Sequence, residues 1–178
     1  QLNLENFKIK AGNGDNIDHY DPRTKTITLS ANYYKSNSLT AIVIAAHEIG
    51  HALQDANHSR TLHLRTRLVR ASAKFEKLAS LLLVSAPLIT VLFKIPVLGA
   101  SAFLMAIAVM GLPILVHLIT LPVEYDASFN KAMPILEAGY INQEDLRSSK
   151  KILTACALTY LSSSLASLLN FYRWIKIW

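Results

Sequence analysis

His47, Glu48 and His51 lie within one short stretch, His47-Glu48-Ile49-Gly50-His51. Side chains four residues apart share a face of an α-helix, so the two imidazoles could close on one metal ion. Neutral imidazole nitrogen suits Zn2+ at about 2.0–2.1 Å. The glutamate one position after the first histidine is set slightly aside from the pair. It could take a proton from a water at the ion and hand it to a departing amine. The pattern therefore points to hydrolysis of a peptide bond. The plainer alternative is a helix that happens to carry two histidines. Burying His, Glu and His in an almost uncharged helix without a metal or other partners would be costly.

A catalytic zinc takes three protein ligands and keeps one position open. An extended motif would supply a third histidine six residues after His51. Asn57 stands there, His58 is one place off, and Gln54 occupies the position where a glycine would turn the chain. The carboxylate candidates are Glu76, inside a basic segment, and Glu124, after a long apolar region, with Asp126 two residues further on. Two membrane crossings after His51 would return the chain to the side it left, which favours Glu124. Asp126 then reads as a supporting or surface charge.

The elements that must position these residues follow from patterning. Residues 39–56 contain no proline and are rich in small and apolar side chains, and Ser38 is placed to cap them. They predict a helix of about five turns, apolar on most faces and so buried. Residues 1–35 are polar and punctuated by Gly12-Asn13-Gly14-Asp15 and Asp21-Pro22. Short alternating or β-branched stretches at 7–9 and 24–29 predict a small β-ribbon. The strand at 24–30 could accept an extended peptide by edge pairing, or be an ordinary ribbon strand.

Residues 58–77 are basic and compatible with a helix. From Leu78 to Leu121 the only charged side chain is Lys94, and His117 is the only other ionisable group. This region divides at Lys94-Ile95-Pro96 into 78–93 and 97–121, a candidate membrane hairpin with Pro87 as a possible kink. A third apolar stretch, 152–172, carries Ser162-Ser163-Ser164 and Asn170, which suit helix packing. Between these, Pro134 to Asp145 reads as a loop.

The chain has 178 residues, 52% hydrophobic and only 17% charged, with a net charge of +6. Its mean hydropathy is +0.29. This balance suits one domain in contact with lipid. The basic residues cluster beside the apolar runs: Arg60, Arg65, Arg67, Arg70, Lys74 and Lys77 before the first, Arg147, Lys150 and Lys151 before the last. That is a membrane pattern and not a nucleic-acid surface. It places the site on the cytoplasmic face. Cys156 is the single cysteine, so no internal disulfide is possible, and it reads as a small apolar packing residue. Because the chain begins at Gln1, an upstream segment is expected to be missing.

Several blocks occur together: Asp18-His19-Tyr20-Asp21-Pro22-Arg23, then Thr26 to Ser30, Ala45-Ala46-His47-Glu48-Ile49-Gly50-His51-Ala52-Leu53-Gln54, Leu121 to Ser128, and Ala157-Leu158-Thr159-Tyr160. Their order and spacing resemble the neutral zinc metallopeptidases of bacterial membranes, the YugP-like family. The likeness spans nearly the whole chain and lacks that family's N-terminal membrane segment. It implies a gluzincin-like site with one zinc ion, His47 and His51 as ligands, Glu48 as base and Glu124 as third ligand. Glu124 to Ala127 is more distantly similar to the Glu-x-x-Ala-Asp element of HtpX-type membrane proteases. Ser128 stands where those carry Asp.

The expected architecture is mainly α: a multi-helix, membrane-embedded, zincin-like metallopeptidase with a small N-terminal β-ribbon. The expected location is a bacterial cell membrane, multi-pass. Substrates would be peptides or membrane proteins reaching the bilayer edge, and a regulatory partner protein is left open. Further site candidates are Tyr160 as an oxyanion donor, His19 beside the site or in turn hydrogen bonding, and His117 lining a cavity or bonding between helices. The rivals are a zinc-binding membrane adaptor or assembly factor that does not cleave, and a soluble helical domain with a chance motif.

Overall fold

The computed structural model describes residues 7–13 and 18–177. They fall into two compact units. The first comprises Gln1–His63 and Thr120–Tyr160, the second Leu64–Ile119 and Leu161–Trp178.

The first unit opens with three strands, β1 (Lys8–Ala11), β2 (His19–Asp21) and β3 (Thr26–Leu29), in the spatial order β1-β3-β2. β1 runs parallel to β3, pairing Lys8 with Thr26, and β2 runs antiparallel, pairing His19 with Thr28. Asp21 makes the β2–β3 turn. Its carboxylate accepts from the Arg23 backbone N–H at 3.0 Å and the Thr24 hydroxyl at 2.9 Å. The β-ribbon read from the sequence is thus a three-stranded sheet, and His19 lies in a strand instead of a turn. β3 is the central strand, paired on both sides, so its edges cannot take a peptide.

A short helix, α1 (Ala31–Tyr34), leads to α2 (Leu39–Ala56). Ser38 caps α2, its side chain accepting from the Ala41 N–H at 3.3 Å. One side of α2 carries Ile44, Ala45, Ile49 and Ala52 against Tyr20, Ile27 and Leu29 of the sheet. The Tyr20 hydroxyl donates to Asp55 at 2.8 Å and ties the sheet to the last turn of the helix. Burial and the Asp55 carboxylate hold that hydroxyl protonated well above its ordinary range. The other side of α2 puts Val43 and Ala46 against Ala132, Leu136 and Leu153. Burying side chains such as Val43, Leu136 and Leu153 fully contributes about 1.5–3 kcal/mol each. A helix covered on both sides needs apolar residues nearly all round, which explains its composition.

Its partner on that second side begins where α5 (Leu112–Tyr125) passes into π-helical turns, π1 (Asp126–Ala132). A short helix, α6 (Met133–Ile135), and a second π-segment (Leu136–Tyr140) follow, the helical backbone breaking at Gly139 with φ 111°. The expected loop from Pro134 to Asp145 is therefore mostly helical. Pro134 lacks an N–H, and it falls just where the ladder returns from π to α spacing. A 3-10 turn (Gln143–Asp145) then starts α7 (Leu146–Ile177), which contains the expected 152–172 helix and extends beyond it at both ends.

The second unit takes up most of α3 (Arg60–Phe93), all of α4 (Pro96–Met110) and the start of α5. The basic stretch and the first apolar stretch form this one 34-residue helix, which runs through Pro87. The expected segment 97–121 is broken at Gly111, beside Pro113, into α4 and α5. α3 and α4 approach closely at small residues: a Cβ on Gly99 would sit 1.6 Å from Thr90 Oγ1. Among the described residues one helix, Arg60–Phe93, is long and apolar enough to cross a membrane, and Pro96–Val109 is apolar but shorter.

Gly50 carries the contact between α2 and π1. A Cβ there would lie 2.4 Å from the Ala127 carbonyl oxygen, a backbone atom that cannot swing aside. Gly50→Ala should lower the stability of the first unit by about 1–3 kcal/mol despite alanine's better helix propensity. Gly111→Ala, whose Cβ meets nothing closer than 3.4 Å, should be neutral or mildly stabilising. Thermal melts of the two variants check this pair of expectations.

Candidate metal centre

Two elements build the centre. α2 presents His47 and His51 from successive turns, their rings 4.8 Å apart and nearly perpendicular. The end of α5 presents Glu124, only 1% exposed. Glu124, Ala127 and Ser128 fall on one side of the helical run, toward α2, and all three are buried. The missing side chain at Gly50 lets that side come close.

His47 Nε2 lies 3.3 Å and His51 Nε2 3.2 Å from the same carboxylate oxygen, Glu124 Oε2. One ligand atom from each of the three residues can be chosen so that all lie within 4.8 Å of one another. A tetrahedral zinc with bonds of about 2.0–2.1 Å holds its ligand atoms roughly 3.3–3.4 Å apart. The two His-to-Glu distances match that spacing.

The far ring nitrogens are engaged as well. His47 Nδ1 is 3.0 Å from the Ser128 hydroxyl, and His51 Nδ1 is 3.0 Å from Gln54 Oε1. With protons on both Nδ1 atoms, two Nε2 lone pairs and a carboxylate oxygen face one another away from water. Such an arrangement calls for a cation, or for extra protons, between them. The His-His-Glu donor set and this electrostatic demand both fit zinc.

Glu48 is buried beside the pair. Burial raises its pKa, the adjacent imidazoles of His51 and His47 draw it back, and the Glu124 charge pushes it up again. The net direction is upward. Asp126 is not in the metal cluster. It accepts from Gln54 Nε2 at 2.8 Å and Asn130 Nδ2 at 2.8 Å. Burial alone would raise its pKa, but these bonds and Lys131 outweigh that and lower it.

The remaining sequence candidates are placed elsewhere or undescribed. His19 lies exposed on β2, outside the His-His-Glu cluster. His117 is half-buried on the part of α5 that belongs to the second unit. The side chains of Tyr160 and Glu76 lie outside the described residues. Sequence reasoning gave Gln54 and Ser128 no part in orienting the histidines. Their spacing was the available signal: Gln54 is three residues after His51, and Ser128 four after Glu124, each on its ligand's face of a helix.

Ser128→Ala should remove the partner of His47 and weaken zinc binding by up to about tenfold. Competition against a chelator of known affinity measures the change.

Residues 1–178 match the family described as "Putative neutral zinc metallopeptidase". The chain is 33% identical over 174 residues to the "Putative membrane protease YugP" of Bacillus subtilis (strain 168), which covers 98% of this chain and 74% of that relative. No solved structure matches. Matched from end to end, and carrying a His-His-Glu cluster that could hold a metal ion, the chain belongs to the family described as "Putative neutral zinc metallopeptidase".

Proposed function

We propose that the protein is a membrane-bound, zinc-dependent endopeptidase. One zinc ion would be held by His47, His51 and Glu124, with Glu48 as general base. The observation that carries this reading is the convergence of both imidazoles on one buried Glu124 oxygen, with a second buried carboxylate alongside that is not among the ligands.

Bound zinc would act as a Lewis acid toward the scissile carbonyl and the attacking water. The chain's own residues do the rest. Glu48 accepts the proton of the attacking water at its carboxylate. It then delivers that proton to the amide nitrogen as the peptide bond breaks. Burial keeps Glu48 away from bulk water, so the proton it takes up stays available for the leaving amine. Ser128 and Gln54 hold the two imidazoles in register.

The membrane part of the reading rests on the second unit. Leu81, Val84, Leu88, Val91 and Leu92 of α3 are all well exposed, Val84 by 76%. A soluble core hairpin would bury these side chains, whereas lipid would cover them. α4, the apolar part of α5 and α7 would complete a multi-pass arrangement. The basic clusters at 60–77 and 147–151, beside the apolar runs, support a centre at the cytoplasmic face of a bacterial membrane. The substrates would be peptides or membrane proteins at the bilayer edge. The name of the Bacillus relative, "Putative membrane protease YugP", supports the membrane and protease parts of this reading.

Metal content and peptide hydrolysis of the detergent-purified protein test the proposal together. Wild type and Glu48→Gln should each hold about one zinc, and the substitution should lower turnover by roughly 10²–10⁴-fold. His51→Ala and Glu124→Ala should lose both metal and activity. A zinc-loaded wild type that cleaves no peptide in a broad library would favour an adaptor. A wild type that takes up no zinc on reconstitution would end the peptidase reading.

A further inference from the structure

The two metal-facing histidines are oriented by chemically different partners. Behind His47 stands the Ser128 hydroxyl, which can donate or accept, so it does not dictate where the imidazole proton sits. Behind His51 stands a chain of groups with a fixed direction.

That chain starts at two groups that can only accept. The Val123 carbonyl oxygen is 2.9 Å and the Asp126 carboxylate oxygen Oδ2 2.8 Å from Gln54 Nε2. Only the –NH2 edge of the Gln54 amide can satisfy both. Turning the amide over would set its oxygen against two acceptors inside the protein, where Gln54 is 1% exposed. The amide is therefore locked, and Oε1 must face His51 Nδ1, 3.0 Å away. Oε1 cannot donate, so Nδ1 must carry the proton. A neutral His51 then has its lone pair on Nε2, directed at the site it shares with Glu124. Asn130 Nδ2, 2.8 Å from the other Asp126 oxygen, holds the far end of the chain.

We infer that Gln54 is a positioning residue that sets the tautomer of His51, its direction imposed by Val123 and Asp126, so that the centre is preset for metal on the His51 side. The inference rests on the proposed zinc site for its purpose, but the tautomer itself exists without metal. It also gives the segment Glu124–Ser128 three separate tasks. Glu124 would hold the ion, Asp126 sets the polarity behind His51, and Ser128 backs His47.

The test reads the tautomer and the metal separately. Histidine 15N chemical shifts of the metal-stripped full chain in detergent, above the imidazole pKa, should show His51 as the Nδ1–H form. In Gln54→Met they should show a mixture. The same variant should bind zinc about 10–100-fold more weakly, a larger loss than Ser128→Ala gives. Circular dichroism melts of the metal-stripped proteins identify any loss that is merely unfolding. Gln54→Glu keeps an acceptor for His51 but loses the donor to Asp126, so it should also bind weakly. Adding Asp126→Asn returns a donor at position 126, though none to the Val123 carbonyl, and should recover part of the affinity. An even tautomer mixture in the wild type, or unchanged zinc affinity in Gln54→Met, would overturn the inference. So would equal affinity of Gln54→Glu with and without Asp126→Asn. A wild type with His51 fixed as the Nδ1–H form but no affinity for zinc would instead count against the peptidase proposal.

Discussion

Burying a carboxylate against two imidazoles is unfavourable unless something neutralises it, and the first unit is arranged around that requirement. Glu124 has almost no contact with solvent, and the nitrogens facing it belong to a helix far away in sequence. Ser128 and His47, which meet through a hydrogen bond, are 81 residues apart. Holding such a group in place takes rigid walls. The sheet covers one side of α2, and π1 with the start of α7 covers the other. The Tyr20–Asp55 bond fixes the sheet to the same helix one turn beyond His51.

The closeness of that packing comes from small residues at the crossing. Gly50 lies in the pentapeptide His47–His51, yet its role is steric: it leaves space for the Ala127 carbonyl. Ala127 and Ala132 line the facing surface and are fully buried. The π-turns begin immediately after Glu124's helix ends, and turns of this kind recur at functional sites because they re-aim side chains along one helical run. Here the run aims Glu124 and Ser128 at α2 and leaves Asp126 to meet Gln54 from the flank.

One helix also changes character along its length. α5 is apolar from Leu112 to Leu121, then carries Glu124 near its end. Its first part belongs to the apolar second unit and its last to the unit that holds the centre. The long α3 makes the opposite transition, from a basic, partly exposed beginning to a nearly uncharged end.

Much of this could be read from residue order, because it depends on local rules. The α2 helix follows from Ser38, an unbroken apolar run and the absence of proline. The face shared by His47 and His51 follows from helical periodicity. Counting chain reversals favours Glu124 over Glu76 and Asp126, and in the fold Glu124 Oε2 meets both imidazoles. Other features depend on contacts between distant segments, so no local rule contains them. The third strand at His19–Asp21 is too short to announce itself and exists because β3 pairs with it. The helix through Pro134 overrides a local breaker because Ala132 and Leu136 pack on α2. The direction of the Gln54 amide needs acceptors 69 and 72 residues away. The sequence by itself determined which atoms could bind metal and move a proton. Only the tertiary structure decided which carboxylate faces the imidazoles and which groups hold them, because burial and hydrogen-bond partnership are properties of the packed chain.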